Sequence, residues 1–295
     1  MKINIIANRR IWFTVSSVLV ILSLVFMVVP GIRWGIDFTG GSLSEIEFVS
    51  PVSTSDLRST IQTAGYSDAT IQVTGAQGFL IRTPSLSEEE HQSLLASIRE
   101  KHGEVEELRF DSIGPVIGNE LRQTAIIGVL LTLVLIGLYV AWAYRKVTQP
   151  VAAWKYGVLT IAAAFHDVVI AVGAFALAGH FVGWEVGTSF VAAILTILGY
   201  SINDTVVVLD RTRENLLKKI SPDFADTVEQ SIHQTVWRSL NTTLTTILAL
   251  TAIFIFGGDS TRPFAFALIV GIAVGAYSSI FLASPLLVSW EAKRK

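Results

Sequence analysis

The sequence contains no cysteine among its 295 residues. A disulfide framework, a thiol nucleophile and a cysteine-ligated metal are therefore excluded. Charged residues are also few, at 16%, whereas a soluble domain carries about a quarter. The net charge of −2 excludes a strongly basic nucleic-acid binder, and no Gly-rich phosphate loop is present. The chain is instead 51% hydrophobic, with a mean hydropathy of +0.56, which is the composition of a membrane protein.

The hydrophobic residues are gathered into six segments, each close to the ~20 residues that cross a bilayer. The predicted spans are residues 11–30, 124–144, 156–181, 186–209, 240–256 and 264–290. The first is interpreted as a signal anchor. The alternative, a cleaved signal peptide, is disfavoured because the apolar run exceeds the usual ~7–15 residues and no small-residue cleavage site follows cleanly.

Lysine and arginine are concentrated on one side of these spans. They lie at both ends of the chain and in two loops: Lys2, Arg9, Arg10, Arg145, Lys146, Lys155, Arg211, Arg213, Lys218, Lys219, Arg238, Lys293, Arg294 and Lys295. The opposite loops, at residues 183–185 and 257–262, are nearly free of them. The positive-inside rule therefore predicts that both termini, residues 1–10 and 291–295, are cytoplasmic and that residues 31–123 are outside, which in a bacterium means the periplasm.

Residues 31–123 have a different composition, with most of the acidic residues and no spanning run. Strand-like and helix-like patterns alternate there as β-α-β-β-α-β, with strands at 42–49, 69–73, 79–82 and 105–110. Ser87 and Glu90 form a capping-box start for the second helix. The predicted fold is thus a polytopic α-helical membrane protein with six transmembrane helices and a small α+β, ferredoxin-like (βαββαβ) extracytoplasmic domain.

Two connecting segments have more than one interpretation. Residues 111–123 are interpreted as a joint between this domain and the second span rather than as a binding loop. Residues 210–238 resemble a cytoplasmic amphipathic hairpin, with Phe224, Val228 and Ile232 repeating every four residues. We expect a helix lying at the membrane interface there, and the alternative is a docking site for a soluble partner.

Asn203 and Asp204 lie inside the fourth span. With a bilayer core from about residue 190 to 209, Asp204 is roughly 6 Å to the cytoplasmic side of the midplane, at ~1.5 Å per residue. Ionisable residues at this depth are candidates for proton or ion pathways. Arg238 opens the polar start of the fifth span, and we expect it to reach towards Asp204 at similar depth. Asp167, beside His166 in the third span, is a second candidate carboxylate.

An arginine that approaches a carboxylate in apolar surroundings lowers its affinity for protons, and withdrawal raises it. A movable Asp204–Arg238 pair would therefore couple proton transfer to a conformational change. The alternative is a fixed salt bridge that locks the helices together. His166 is more simply interpreted as a packing or hydrogen-bonding residue, and Gly271 and Gly275 as a GxxxG pair that lets helices approach closely.

Four short motifs resemble the SecF family of the bacterial Sec protein-export machinery. They are Gly35-Ile36-Asp37-Phe38-Thr39-Gly40-Gly41, Ser112-Ile113-Gly114-Pro115, Tyr200-Ser201-Ile202-Asn203-Asp204-Thr205 and Arg238-Ser239-Leu240-Asn241-Thr242. Their order along the chain is also that of the family.

The resemblance implies a member of the resistance-nodulation-division superfamily that pairs with SecD and assists the SecYEG translocon. It implies use of the proton motive force to promote translocation and release of exported unfolded polypeptides. Asp204 and Arg238 match the family's proton path, and Thr242 lies beside them. A SecD carboxylate is then expected to face Asp204.

Two rival functions remain open. One is a proton-driven exporter subunit for lipids or small molecules, which usually needs two such halves and a large outer region. The other is a passive scaffold subunit in which Asp204 only holds helices together. An enzyme is not expected, because no nucleophile-base set and no metal cluster is visible, and we expect no cofactor.

Overall fold

The structure, a computed structural model, describes residues 4–75, 77–145 and 151–292. Of the basic residues used for the topology, Lys2, Lys146 and Lys293–Lys295 lie outside the described residues. The chain divides into two compact units. The sheet unit comprises residues 34–126 and 185–188, and the helical unit comprises residues 1–33, 127–184 and 189–295.

The sheet unit contains four strands and three helices in the predicted β-α-β-β-α-β order, preceded by one extra helical turn. The elements are α2 (Ile36–Thr39), β1 (Gly41–Phe48), α3 (Thr54–Thr63), β2 (Thr70–Thr74), β3 (Gly78–Thr83), α4 (Glu88–His102) and β4 (Val105–Ile113). The strand order is β2-β3-β1-β4, and every neighbouring pair is antiparallel. Each β-α-β connection therefore encloses one strand of the other.

The ends of the sheet-unit helices are set by the polar residues that the sequence places there. The Ser87 hydroxyl accepts from the Glu90 amide at 3.3 Å, and Glu90 Oε2 accepts from the Ser87 amide at 2.8 Å. The predicted capping box is thus confirmed. Helix α4 ends at Gly103, whose φ of +89° suits glycine. The apolar faces of both long helices, including Leu57 and Leu95, pack into one core with the sheet.

The two motifs at residues 35–41 and 112–115 pack against each other inside the sheet unit. Gly40 has φ +74°, and a Cβ there would lie 2.6 Å from Pro115 Cα. A Cβ on Gly118 would lie 2.7 Å from the Gly40 amide nitrogen. Both contacts are shorter than carbon atoms tolerate, so glycine is required on both sides. Residues 115 and 118 are therefore packed closely against Gly40 within the sheet unit.

The prediction of six membrane helices is confirmed. Six helices are long and apolar enough to cross a membrane: Arg9–Gly31, Pro115–Ala143, Ala153–Val182, Thr188–Leu217, Phe224–Phe256 and Arg262–Glu291. They are α1 (Arg9–Phe26), α5 (Pro115–Ala143), α6 (Ala153–Val182), α7 (Thr188–Leu217), α8 (Phe224–Phe256), and α9 with α10 (Arg262–Ser278, Ser284–Ala292). A π-helical segment, Ser279–Ala283, joins α9 to α10.

Helices α6 and α9–α10 form the centre of the helical unit. In each, 61% of the most apolar stretch of 18 residues is buried, whereas the corresponding share is 11% for α1 and 17% for α5 and α8. Small residues allow the close approach: a Cβ on Gly173 of α6 would lie 2.5 Å from Ser23 Cα of α1. Cβ atoms on Gly271 and Gly275 would meet Ile197 and Ser201 of α7, so the predicted GxxxG packing role is confirmed.

Residues 210–238 do not form a separate helix at the membrane interface, and that expectation is wrong. Helix α7 continues to Leu217 and α8 begins at Phe224, so both arms of the hairpin extend membrane-spanning helices. Val228 and Ile232 are fully buried in a cluster with Ile5 and Ile6. Their apolar face is therefore covered by the N-terminal segment of the same chain and leaves no apolar stripe for lipid.

A buried carboxylate holds this N-terminal segment in place. Glu229 Oε1 accepts from the Ile5 amide at 2.9 Å, and Oε2 accepts from the Ile6 amide at 2.7 Å. His233 Nε2 lies 2.9 Å from Glu229 Oε1. The two backbone donors are satisfied by a charged acceptor, which makes stronger hydrogen bonds than a neutral one.

Candidate functional site

Asp204 lies on α7 and faces α8. The residue is only 8% exposed, and its Oδ2 lies 3.5 Å from the Thr243 hydroxyl. This distance is at the outer limit for a hydrogen bond, since O–H···O bonds centre near ~2.7–2.8 Å. The buried hydroxyl of Ser239 also lies beside the carboxylate as a second donor within reach, although its contact does not meet hydrogen-bond geometry. Asp204 is thus enclosed by hydroxyls without being firmly held by them.

Arg238 forms no ion pair with Asp204 among the described residues. The hydroxyl contact places Thr243 opposite Asp204. Arg238, five residues earlier, is then roughly 7 Å nearer the Phe224 end of α8 at ~1.5 Å per residue. Its side chain is exposed. A fixed salt bridge is therefore not part of this conformation, and the predicted pairing would need the arginine to move.

Asp167 has the opposite environment. It is fully buried on α6, and three side chains surround it. Its Oδ2 accepts from the Ser201 hydroxyl of α7 at 2.5 Å and from the Ser278 hydroxyl of α9 at 2.7 Å. Its Oδ1 lies 2.8 Å from His166 Nδ1. The carboxylate thus joins three helices through hydrogen bonds.

His166 therefore has the hydrogen-bonding role that the sequence suggested. Its ring stacks near Tyr277, with 6.4 Å between the ring centroids. The Tyr277 hydroxyl lies 3.0 Å from Ser16 Oγ on α1. The second ring nitrogen of His166, Nε2, is buried and has no hydrogen-bond partner in the described ranges. The hydrogen-bonded group around Asp167 is thus extended towards α1 through Tyr277.

The two carboxylates lie on different helices, but α7 is linked to both of them. Ser201, the donor to Asp167, is three residues before Asp204 on α7, which is less than one helical turn. A movement of α7 would therefore alter both sites. Sequence reasoning missed Ser201, Ser278, Ser239 and Thr243. The signal that could have found them is the placement of small hydroxyl residues within apolar spans, where such side chains bond across helices.

Asn203 and Thr242, two further predicted site residues, lie away from the enclosed carboxylate. Both are exposed on the surface of the helical unit. The Thr242 hydroxyl donates to the Arg238 carbonyl of its own helix at 3.0 Å. Together with exposed Arg238, Asn241 and Thr245, they form a polar surface on two apolar helices, which we call the polar face.

No group of three acidic or histidine side chains that could hold a metal ion occurs within residues 4–75, 77–145 and 151–292. Asp167 and His166 form a pair only, and Asp167 Oδ2 already accepts from two serine hydroxyls. The arrangement is suited to hydrogen bonding and proton exchange.

Comparison with known proteins identifies the family. The family model described as "Protein export membrane protein SecD/SecF, C-terminal" matches residues 93–293, and "SecD/SecF GG Motif" matches residues 25–52. A curated relative named protein translocase subunit SecF, from Thermobaculum terrenum, is 40% identical over 99% of this chain and 95% of its own length. The chain belongs to the SecF family.

Other SecF-family proteins show the same relationship across nearly the whole chain. Subunits of that name from Anaerolinea thermophila and Haemophilus influenzae are 37% and 36% identical, over 98% and 93% of this chain. The aligned regions cover 94% and 82% of the lengths of these two relatives. The similarity to SecF-family proteins therefore extends over nearly the whole chain.

A solved structure is also similar to this SecF-family chain. The crystal structure of SecDF, a translocon-associated membrane protein from Thermus, matches with a TM-score of 0.85 at 36% identity and covers all of this chain. The chain spans 39% of that SecDF polypeptide. A second structure, SecDF in a super-membrane-facing form, matches with a TM-score of 0.70. This chain thus aligns with one part of that longer SecDF polypeptide.

Proposed function

We propose that this chain is a SecF subunit that couples proton movement to protein export, with Asp204 as the residue that takes up and releases the proton. The observation that carries the proposal is the environment of Asp204. The carboxylate is enclosed on a membrane-spanning helix, has a long contact to the Thr243 hydroxyl with the Ser239 hydroxyl beside it, and makes no ion pair with Arg238 among the described residues. An unsatisfied carboxylate at such a position is costly unless it exchanges protons or partners.

The proposed cycle uses the arginine as the variable element. Arg238 makes no ion pair with Asp204 in the described part of the chain, and a carboxylate that lacks a positive partner in apolar surroundings generally favours its neutral form. When Arg238 approaches, the charged carboxylate is favoured and the proton leaves. A change in the distance between the start of α8 and the middle of α7 is therefore linked to proton binding.

The proposed partner is SecD, and the polar face is the surface it would cover. Asn203, Arg238, Asn241, Thr242 and Thr245 are exposed on helices that are otherwise apolar. The threonine hydroxyls donate to their own helix, whereas Asn241 makes no side-chain hydrogen bond in the described chain. Polar groups that faced lipid would be unsatisfied. The similar SecDF polypeptide, which this chain spans in part, supports a second half as the occupant.

The remaining parts of the proposal extend beyond this chain. We infer that it acts without enzymatic activity of its own beside the SecYEG translocon, in a bacterial inner membrane with both termini in the cytoplasm. The moving polypeptide would be an exported, unfolded chain on the opposite side. A reporter fused after Phe48 is expected to be extracytoplasmic, and a cytoplasmic signal there would contradict the topology.

The central experiment measures proton-gradient-dependent translocation of a secreted precursor into vesicles that contain the chain and its partner. Asp204→Asn and Arg238→Met are expected to remove the gradient-dependent part of translocation. Asp210→Asn is the matched control, because Asp210 is an exposed carboxylate on the same helix. Membrane levels and co-purification with SecD are checked for each variant.

If translocation still depends on the proton gradient as in the wild type in both Asp204→Asn and Arg238→Met, and assembly is normal, the proton-path proposal is contradicted. Loss of co-purification in Asp204→Asn would instead support the scaffold alternative, in which the residue holds helices together. Asp167 supports the comparison, because a carboxylate with three hydrogen-bonded neighbours is the arrangement expected of a residue that holds helices together.

A further inference from the structure

A short segment from between α6 and α7 belongs to the sheet unit. Residues 185–188 are grouped with residues 34–126, although about 60 residues of chain separate them from the end of that range. Helix α7 begins at Thr188 and continues without interruption to Leu217. The first residue of the helix that carries Asp204 is therefore part of the sheet unit.

Asp37 makes the most specific contact in this arrangement. Its Oδ2 accepts from the Thr188 backbone amide at 2.6 Å and from the Thr188 hydroxyl at 2.9 Å. A backbone amide at a helix start has no partner within its helix, and a carboxylate there also interacts favourably with the helix dipole. Asp37 thus acts as an N-cap for α7, although it is 151 residues away in the sequence.

Three further contacts hold the same segment. The Gly35 amide donates to the Val186 carbonyl at 2.9 Å, and Trp34 and Val186 form an isolated parallel β-bridge. Arg82 Nη1 lies 2.5 Å from Glu185 Oε1. Gly187 leaves room for the cap, since a Cβ on it would lie 2.7 Å from Asp37 Oδ2. We call residues 34–37 and 185–188 with these contacts the clamp.

We propose that Asp37 is a positioning residue that fixes the start of α7 to the sheet unit and thereby transmits displacement between the sheet unit and Asp204. Asp204 is 16 residues beyond Thr188 on one continuous helix, a distance of roughly 24 Å at ~1.5 Å per residue. A helix transmits displacement along its axis because its backbone hydrogen bonds are all internal. Because the clamp holds the first residue of α7, a displacement of the sheet unit would be passed along α7 to Asp204. This inference rests on the proposed coupling function.

The test uses the same vesicle assay, with Asp37→Ala and Gly187→Ala. Both are expected to lower gradient-dependent translocation by about fivefold or more, the lower end of typical coupling between sites. Protein level and gradient-independent translocation should not change. Gly258→Ala is the matched control for the glycine, because a Cβ there meets nothing within 4 Å. Asp37→Asn keeps one acceptor oxygen and should lose less than Asp37→Ala.

A covalent link separates positioning from a merely structural role. The chain has no cysteine, so Trp34→Cys with Val186→Cys creates a single possible intramolecular disulfide. Bridged residues lie ~4.8 Å apart across a sheet, within the ~4.4–6.8 Å that a disulfide spans. In the Asp37→Ala background, oxidation is expected to restore gradient-dependent translocation and reduction to remove it again.

Two results would overturn the inference. One is wild-type gradient dependence in Asp37→Ala. The other is a formed disulfide that fails to restore Asp37→Ala, or that blocks translocation in the wild-type background, since the segment would then have to detach. Asp204→Asn is measured in parallel. If it also behaves as wild type, the proposed function fails; if it alone loses gradient dependence, only the role of Asp37 fails.

Discussion

Asp167 and Asp204 are both aspartates within apolar spans of adjacent helices, and their surroundings differ. Asp167 is fully buried, with two serine hydroxyls and a histidine nitrogen at 2.5–2.8 Å. Asp204 is 8% exposed, with one hydroxyl at 3.5 Å. The first carboxylate is held by three helices, whereas the second has room for a different partner.

The difference separates structural from functional polar residues in a membrane. A buried polar group whose hydrogen bonds are all made favours one arrangement of its neighbours. A group whose hydrogen bonds are incomplete can gain a proton or a partner when its surroundings change. Both residues were candidates for the proton path from the sequence, and that assignment stays a prediction for both. The geometry favours Asp204 for exchange and Asp167 for holding α6, α7 and α9 together.

The largest expected effect comes from removing the Asp167 carboxylate. Asp167→Ala should destabilise the helical unit by about 2–5 kcal/mol, from three hydrogen bonds at ~0.6–1.7 kcal/mol each in membranes. Asp204→Ala should cost less than about 1 kcal/mol by the same scale. Unfolding of the purified protein in detergent measures both. Equal losses for the two variants would remove the distinction.

The packing around α6 provides the next test. Gly173→Ala would place a Cβ 2.5 Å from Ser23 Cα, a backbone atom of α1 that a rotamer change cannot move. Overpacking of this kind costs about 1–3 kcal/mol. Gly199→Ala, on α7, is the control, because a Cβ there meets nothing within 4 Å. If the two alanine variants are equally stable in the detergent assay, the centre of the unit is looser than described.

The smallest effects concern the single hydroxyls that donate to each carboxylate. Ser201→Ala and Ser278→Ala should each cost ~0.6–1.7 kcal/mol, and each should lose that cost when Asp167 is already alanine. Thr243→Val, which removes the long contact to Asp204, should cost no more than ~0.5 kcal/mol because that contact is hardly a hydrogen bond. Additive losses in the Asp167 double mutants would show that the serines act independently of the carboxylate.

Periodicity and capping residues predicted most of the fold. The six apolar runs are helices, and the strands of the sheet unit begin within a residue or two of their predicted starts. Glycines such as Gly103 and the capping pair at Ser87 and Glu90 stop and start helices locally, so no distant information was needed. The one-turn helix Ile36–Thr39 was not predicted, because its role depends on residues far away in the chain.

The site was only partly predictable for the same reason. A charged residue in an apolar span is conspicuous, so Asp204, Asp167 and Arg238 could be found. Their partners could not, because the facing residue on a second helix depends on the rotation and register of both helices. Thr243 rather than Arg238 faces Asp204, and Ser278 reaches Asp167 from 111 residues away. The hairpin at 210–238 was misinterpreted because its apolar face is covered by residues 5 and 6.

The contact between Glu229 and the amides of Ile5 and Ile6 has a consequence for how the chain is made. Residues 5 and 6 precede four membrane helices in the sequence, and Glu229 follows those helices. Until Glu229 has been synthesised, the two amides lack their native acceptor. These two hydrogen bonds therefore form only after most of the membrane helices have been made.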